Sequence, residues 1–144
     1  MGCLIFTQKA WGESICTITV TNVNFSGYDV FSPFPLNANG DIGVTFNQSS
    51  KHPYTVKLDA GQNSGGSFNP RKMLLSGGGA TLNYYLYLDA ACTQIWGDGT
   101  GSTYTATGEQ NRITQHHTVY GEIPAGQNVS VGTYGDTITI TVEW

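Results

Sequence analysis

Three histidines, ten carboxylates and three cysteines are the side chains with which this 144-residue chain could do chemistry. His116 and His117 are adjacent. On a strand they point to opposite faces and cannot chelate one ion together. His52 is the third, and a catalytic zinc needs three convergent ligands. A Ser-His-Asp arrangement is set by geometry rather than spacing, but no GxSxG elbow occurs to present a nucleophile. A glycosidase needs two opposed carboxylates. Asp29, Asp41, Asp59, Asp89, Asp98, Glu109, Glu122 and Asp136 fall mostly at the ends of strand-like runs. There an aspartate commonly bonds its own backbone in a turn. Trp96-Gly97-Asp98-Gly99-Thr100-Gly101 looks like the start of a calcium loop but lacks the further oxygen ligands of an EF-hand. It reads as a tight turn held by Asp98. We expect no enzyme, no cofactor and no metal.

Cys3, Cys16 and Cys92 are an odd set, enough for one disulfide and one remaining thiol. No pair has the CxxC spacing of zinc or thioredoxin-like sites.

The elements that would carry these residues are strands. Asp136 to Trp144 alternates without a break: Ile138, Ile140, Val142 and Trp144 on one face, Thr and Glu on the other. Period two is the signature of a half-buried strand. Ile15–Thr21, Asp41–Phe46, Tyr54–Leu58, Leu82–Leu88 and Arg112–Tyr120 repeat the pattern, with a shorter strand near Ser102–Thr107. Asn and Gly clusters separate them at Asn37–Gly40, Gly61–Gly66, Gly77–Gly79, Gly97–Gly101 and Gly132–Gly135. Such clusters mark turns. Pro33 and Pro35 make Ser32–Leu36 an irregular connection. Gly61–Gly79 is either a long loop or a hairpin carrying Lys72–Leu75. No stretch has helical periodicity. About six strands at this spacing predict a single immunoglobulin-like β-sandwich. The final strand meets no turn or partner strand after it, and an unpaired edge of this kind invites pairing with another molecule.

Composition narrows the partners. Only 11% of residues are charged and the net charge is −4. Nucleic-acid binding, which needs clustered Lys and Arg, is not expected. The one adjacent basic pair, Arg71-Lys72, reads as a solvated turn. No run is long and apolar enough to predict a membrane-spanning helix. Met1–Phe6 is too short for the apolar core of a signal peptide, so a secreted protein would have lost its leader from this chain. Sequons at Asn24, Asn47 and Asn128 matter only in a glycosylating secretory system.

Four stretches carry a resemblance to a known family. They are Leu82-Asn83-Tyr84-Tyr85-Leu86-Tyr87-Leu88-Asp89, Ile95 to Gly101, Val119 to Gln127, and Gly132 to Val142. With Cys16, Asn24 to Asp29 and Arg71-Lys72-Met73, this sequence resembles the spore coat protein U domain, which also forms subunits of archaic chaperone–usher pili. The resemblance implies an incomplete immunoglobulin-like sandwich of about six strands, lacking its last. A donor strand from another subunit would complete it, a form of β-augmentation. It divides the chain into an N-terminal extension, residues 1–15, and a pilin domain, residues 16–144. In the extension Leu4, Phe6, Gln8 and Ala10 are the expected donor residues. Ile18, Val20, Ile138, Ile140, Val142 and Trp144 are the expected acceptor groove. The implied partners are identical subunits in a homopolymer, a periplasmic chaperone and an outer-membrane usher, with no nucleic acid and no membrane insertion. The implied location is a pilus on the cell surface, reached through the periplasm, with a role in adhesion or biofilm formation.

The sequence departs from the family in two respects. The extension alternates only in part, with Leu4 and Phe6 on one face and Ile5 and Trp11 on the other. Cys16 sits at the family's bridging position, but its usual partner position holds Phe46 and Asn47. A Cys16–Cys92 disulfide is the expected alternative. Cys3–Cys16 would tie the extension to its own subunit, and Cys3 to a neighbour's Cys92 would lock a fibre covalently. Two other functions use the same fold. One is a non-filamentous secreted coat protein. The other is a carbohydrate-binding sandwich with Tyr85, Tyr87, Trp96 or Tyr104 as stacking platforms, although aromatics on strands more commonly serve sheet packing.

Overall fold

The computed structural model describes residues 15–144 in full and residues 2–10 as backbone. Among the described residues there are ten strands and no helix. They are β1 (Gly2–Ala10), β2 (Cys16–Thr21), β3 (Asn24–Phe25), β4 (Leu36–Phe46), β5 (Pro53–Leu58), β6 (Arg71–Leu75), β7 (Thr81–Tyr87), β8 (Ala106–Glu109), β9 (Gln115–Ile123) and β10 (Tyr134–Glu143). The fold is all-β, as expected; β8 answers to the short strand expected near Ser102–Thr107, and β1, β3 and β6 lie beyond the alternating strands read in the sequence.

Hydrogen-bonded neighbours run β2-β4-β9-β7-β6-β10-β1-β3, with β5 joining β10 to β8. β7 pairs with β6 through Thr81–Tyr84 and with β9 through Tyr85–Tyr87, so it connects two halves that close over one core. The core draws on both halves: Ile42, Val44 and Phe46 from β4, Tyr54, Val56 and Leu58 from β5, Leu82, Tyr84 and Leu86 from β7, and Ile138, Ile140 and Val142 from β10. Burial alternates residue by residue along β10, as its sequence requires.

One expected turn turns out differently. Asn37–Gly40 is the first half of β4 and pairs with Glu122 to Val119 of β9. Its composition suits a close approach rather than a turn: a Cβ on Gly40 would stand 2.6 Å from the carbonyl oxygen of Thr21. In the Gly61–Gly79 segment the hairpin alternative is the one adopted, with β6 paired to β7 across Gly77–Gly79, all at positive φ.

β10 runs between two ends of the molecule. Tyr134 lies at one, beside Leu75 of β6 and the loop after Ile123. At the other, the ring of Trp144 meets Phe46 edge-on at 5.6 Å, and Phe46 pairs with Cys16. Ten strand residues at a rise of ~3.4 Å put these poles about 30 Å apart.

Candidate functional site

The two edges of β10 are bonded differently. On one, β6 covers Tyr134 and Gly135, and β5 covers Ile140 to Glu143. Next to the β5 pairing, Thr139 is bonded by one residue of the connection after β5. Asp59 donates its backbone N–H to the Thr139 carbonyl (3.1 Å), and its Oδ1 accepts the Thr139 N–H (3.0 Å). An aspartate thereby does the work of a strand. On the other edge β1 runs parallel to β10 in unbroken register, Gly2 opposite Tyr134 through Ala10 opposite Val142. Beyond it lies β3, which pairs with Gly2 and Cys3. The groove between β10 and β3 thus holds a strand from the chain's own N-terminus.

The register puts the expected donor residues Leu4, Phe6, Gln8 and Ala10 opposite Asp136, Ile138, Ile140 and Val142. The last three are fully buried. Ile18 is buried and Val20 half-buried on β2, which pairs with β4 rather than with β1. Trp144 caps the far pole at 37% exposure. The rim that sequence reading missed is β3. It is two residues long, too short for periodicity to reveal, and its Phe25 is 1% exposed.

The direction of β1 follows from chain length. Ala10 must connect to Cys16, which sits at the Trp144 pole opposite Phe46. Six steps of chain reach at most about 21 Å. Reversing β1 would carry Ala10 to the Tyr134 end, about 27 Å along β10 and a sheet spacing of about 10 Å away from β2. Within one molecule only the parallel arrangement can close.

Polar groups are concentrated under the closed edge. Asp136 is 5% exposed and accepts hydrogen bonds from Tyr84 Oη (2.6 Å), the Gln62 backbone N–H (2.9 Å) and Asn63 Nδ2 (2.9 Å). Burial raises its carboxyl above the usual range in spite of these donors. Gly61 is required here, because at φ +79° any Cβ would collide with Asp136 Oδ2. Arg71 corrects the expectation of a solvated basic pair: it is wholly buried. Its Nε and Nη2 donate to the Asp59 carbonyl (3.0 and 2.8 Å), Nη2 also to that of Trp96 (2.7 Å), and its guanidinium lies 5.1 Å from the Phe68 ring centre. Burial pulls Arg71 down to about 10, so it stays charged at neutral pH.

Asp136 makes stability depend on pH with a definite sign. A carboxyl raised in the folded state binds protons more tightly there than in the unfolded chain. Stability then falls as pH climbs from the unfolded value of 3.8 through the raised folded value. Urea midpoints measured across that window should drop in the native chain, and Asp136→Asn should remove that part of the drop. Identical pH profiles for the two proteins would disprove the assignment.

The other candidate residues separate into structural roles. His116 Nδ1 meets Asp41 Oδ2 at 2.6 Å, while His117 Nε2 lies 2.8 Å from Tyr54 Oη on the opposite face. Asp98 Oδ1 accepts the N–H and hydroxyl of Thr100 (2.9 and 2.6 Å), the tight turn expected of it. Asp29 and Asp89 likewise accept backbone N–H groups two to five residues on. Among the aromatic platforms, Trp96 is wholly buried and donates its Nε1–H to the Val56 carbonyl (3.0 Å). Tyr85 and Tyr87 stack on each other at 5.9 Å, and Tyr104 is half-exposed.

The expected Cys16–Cys92 disulfide is not formed: both are free thiols. Cys16 pairs across from Phe46 at one end of β4, whereas Cys92 lies by Asn37 and Asn39 at the other. At least seven residues of β4 separate them, about 24 Å. A disulfide needs Cα atoms within about 7 Å. The backbone of Cys3 lies between Gly135 and Asn24, at the pole away from Cys16.

Comparison with known proteins places this arrangement. The Spore Coat Protein U domain matches residues 6–141, nearly the whole chain. Protein U of Myxococcus xanthus is 40% identical over 63 residues, 42% of this chain and 33% of that protein. A chain in the crystal structure of the CsuC-CsuE chaperone-tip adhesion subunit pre-assembly complex, from archaic chaperone-usher Csu pili of Acinetobacter baumannii, superposes with a TM-score of 0.59 at 26% identity. The match covers 90% of this chain and 39% of that one. The chain therefore spans well under half the length of either relative.

Proposed function

Because this chain belongs to the spore coat protein U domain family, we propose that it is a structural subunit of a chaperone–usher fibre, joined to its neighbours by strand exchange. The observation that carries this reading is β1, nine residues held along Tyr134 to Val142 of β10 on an edge that no other strand among the described residues covers. In this reading residues 1–15 are the extension and 16–144 the accepting domain. Leu4, Phe6, Gln8 and Ala10 are handed to the next copy, and Ile138, Ile140 and Val142 receive them, with Ile18, Val20 and Trp144 completing the core behind. A periplasmic chaperone would hold the groove until export through an outer-membrane usher; likeness to a chain of a chaperone–subunit complex supports that partnership. The product is a homopolymer on the cell surface, suited to adhesion or biofilm formation. Its role is mechanical rather than catalytic.

Growth of such a polymer asks for a reversed strand. A parallel donor would bring the Trp144 poles of two copies together, where both extensions leave the body, and the chain could not propagate. An antiparallel donor carries Ala10 to the neighbour's Tyr134 pole and gives head-to-tail growth. Antiparallel pairing is also slightly the more stable per residue. Refolding the chain at high concentration should give a ladder of species that survive sodium dodecyl sulfate without boiling. A preparation that stays monomeric at every concentration would reject strand exchange. It would favour the second reading, a non-filamentous coat protein, which the groove filled from within also suits. Electron microscopy of the same samples separates filaments from amorphous aggregates.

A further inference from the structure

The Tyr134 pole carries an apolar surface that packing within the chain does not use. Phe31 and Phe34 are 91% and 73% exposed, and Val131 is fully exposed. Beside them a cavity of about 230 Å³ opens between two loops, with Tyr28, Val30, Val129, Val131 and Tyr134 in its wall. The loop that presents the phenylalanines is held rigidly. Tyr28 Oη donates to the Pro124 carbonyl (2.8 Å) and accepts the Gln127 N–H (2.9 Å). The Phe31 N–H and the Ser32 N–H are both bound by Asp29 (2.9 and 3.1 Å), and Pro33 and Pro35 flank Phe34. Exposed aromatics on a preorganised loop lose little entropy on binding, and aromatic residues are the usual anchors of interfaces.

The opposite pole has a complementary set. Ile113 is 76% exposed and Trp144 37%. Lys51 and Arg112 are exposed at the same pole, where Arg112 Nε donates to the Asn47 carbonyl, together with Glu109. At the Tyr134 pole the loops 26–35 and 124–133 contain Asp29 and no lysine or arginine.

We propose that these poles are the two halves of one contact: the Phe31–Phe34 loop of one copy receives the Ile113–Trp144 pole of the next. The proposal rests on the strand-exchange reading, which fixes the geometry. An antiparallel donor leaves Ala10 beside the acceptor's Tyr134, and the donor's Cys16 follows within about 21 Å of chain. Cys16 belongs to the Trp144 pole. The donor's Ile113–Trp144 pole is therefore held within that reach of the acceptor's Tyr134 pole, which carries Phe31 and Phe34. Such a head-to-tail contact joins different patches and repeats without closing.

The test is a photo-cross-linking amino acid, benzoylphenylalanine, placed at position 34 or at position 113 of the full chain, with irradiation of the assembled polymer. The expected adduct joins two copies. From position 34 its partner peptide contains Ile113 or Trp144; from position 113 it contains Phe31 or Phe34. Adducts within one copy are excluded by the pole separation of about 30 Å. Phe31→Ser with Phe34→Ser should cut the yield from position 113 about ten-fold, on the scale of one lost anchor, while the detergent-resistant ladder persists. A ladder without adducts, or with adducts to the sheet faces, would overturn this contact and leave strand exchange standing. Absence of any ladder in the unmodified chain would overturn both.

Discussion

A chain lacking residues 1–12 should lose its cooperative unfolding transition and its polymer together. β1 contributes a nine-residue ladder along β10 and two further pairs with β3. Ladder hydrogen bonds are worth roughly 1 kcal/mol each net. Removing the strand also opens one side of Ile138, Ile140, Val142 and Phe25, which are at most 1% exposed. The combined loss exceeds about 5 kcal/mol, as large as the whole net stability of many domains. The truncated chain should bind dyes for exposed apolar surface and aggregate on concentration. Adding a synthetic peptide of residues 1–12 should restore the transition in a dose-dependent way, because the same edge is filled from outside. A truncated chain that unfolds at the native urea midpoint would show that β1 contributes nothing to the fold. Recovery by peptide but no ladder in the full chain would confine the strand to an internal role.

The second large effect is expected at Arg71. Arg71→Ala should destabilise the fold by about 3–5 kcal/mol, since it strips three charge-assisted hydrogen bonds from the buried Trp96 carbonyl and the half-buried Asp59 carbonyl and leaves a void. Arg71→Lys should recover only part of this, because one ammonium cannot reproduce the planar fork that spans Asp59 and Trp96. Urea unfolding at pH 7 would read the loss as a lower midpoint at unchanged slope. A cost below about 1 kcal/mol would mean that the desolvation of the guanidinium already cancels its hydrogen bonds. The effect should reach β10, because Arg71 holds the Asp59 carbonyl and Asp59 bonds Thr139.

Much of this fold was legible in the sequence because most strands alternate. β10, β5 and β7 follow their patterns, and the turns at Asp89 and Asp98 use the side chains expected of them. Three features were hidden for separate physical reasons. Asn37-Ala38-Asn39-Gly40 has turn composition, yet pairing with β9 overrides local preference. Arg71 looked solvated as half of a basic pair. Alternation with Met73, which is fully buried, would have pointed it inward and Lys72 outward. The cysteines could not be paired from spacing, since the ends of β4 that separate them are a property of the assembled sheet. For the groove, the β10 residues were readable but the short β3 was not. The parallel course of β1 was available from a count of the residues between Ala10 and Cys16.

The inequality of the two edges of β10 also bears on the shape of anything built from this chain. Asp59 closes one edge with bonds made inside its own subunit, so that edge has nothing to exchange. The other edge is held by a strand that can leave, and each chain brings one such strand. A unit with one tongue and one slot has a valence of two. Units of valence two form lines or rings but never branches, and here the slot and tongue point to opposite poles, which disfavours a small ring. Replacing Asp59 would remove only its side-chain bond to Thr139, and β5 and β6 would still cover the rest of that edge. The variant is expected to keep a valence of two and to assemble without branches.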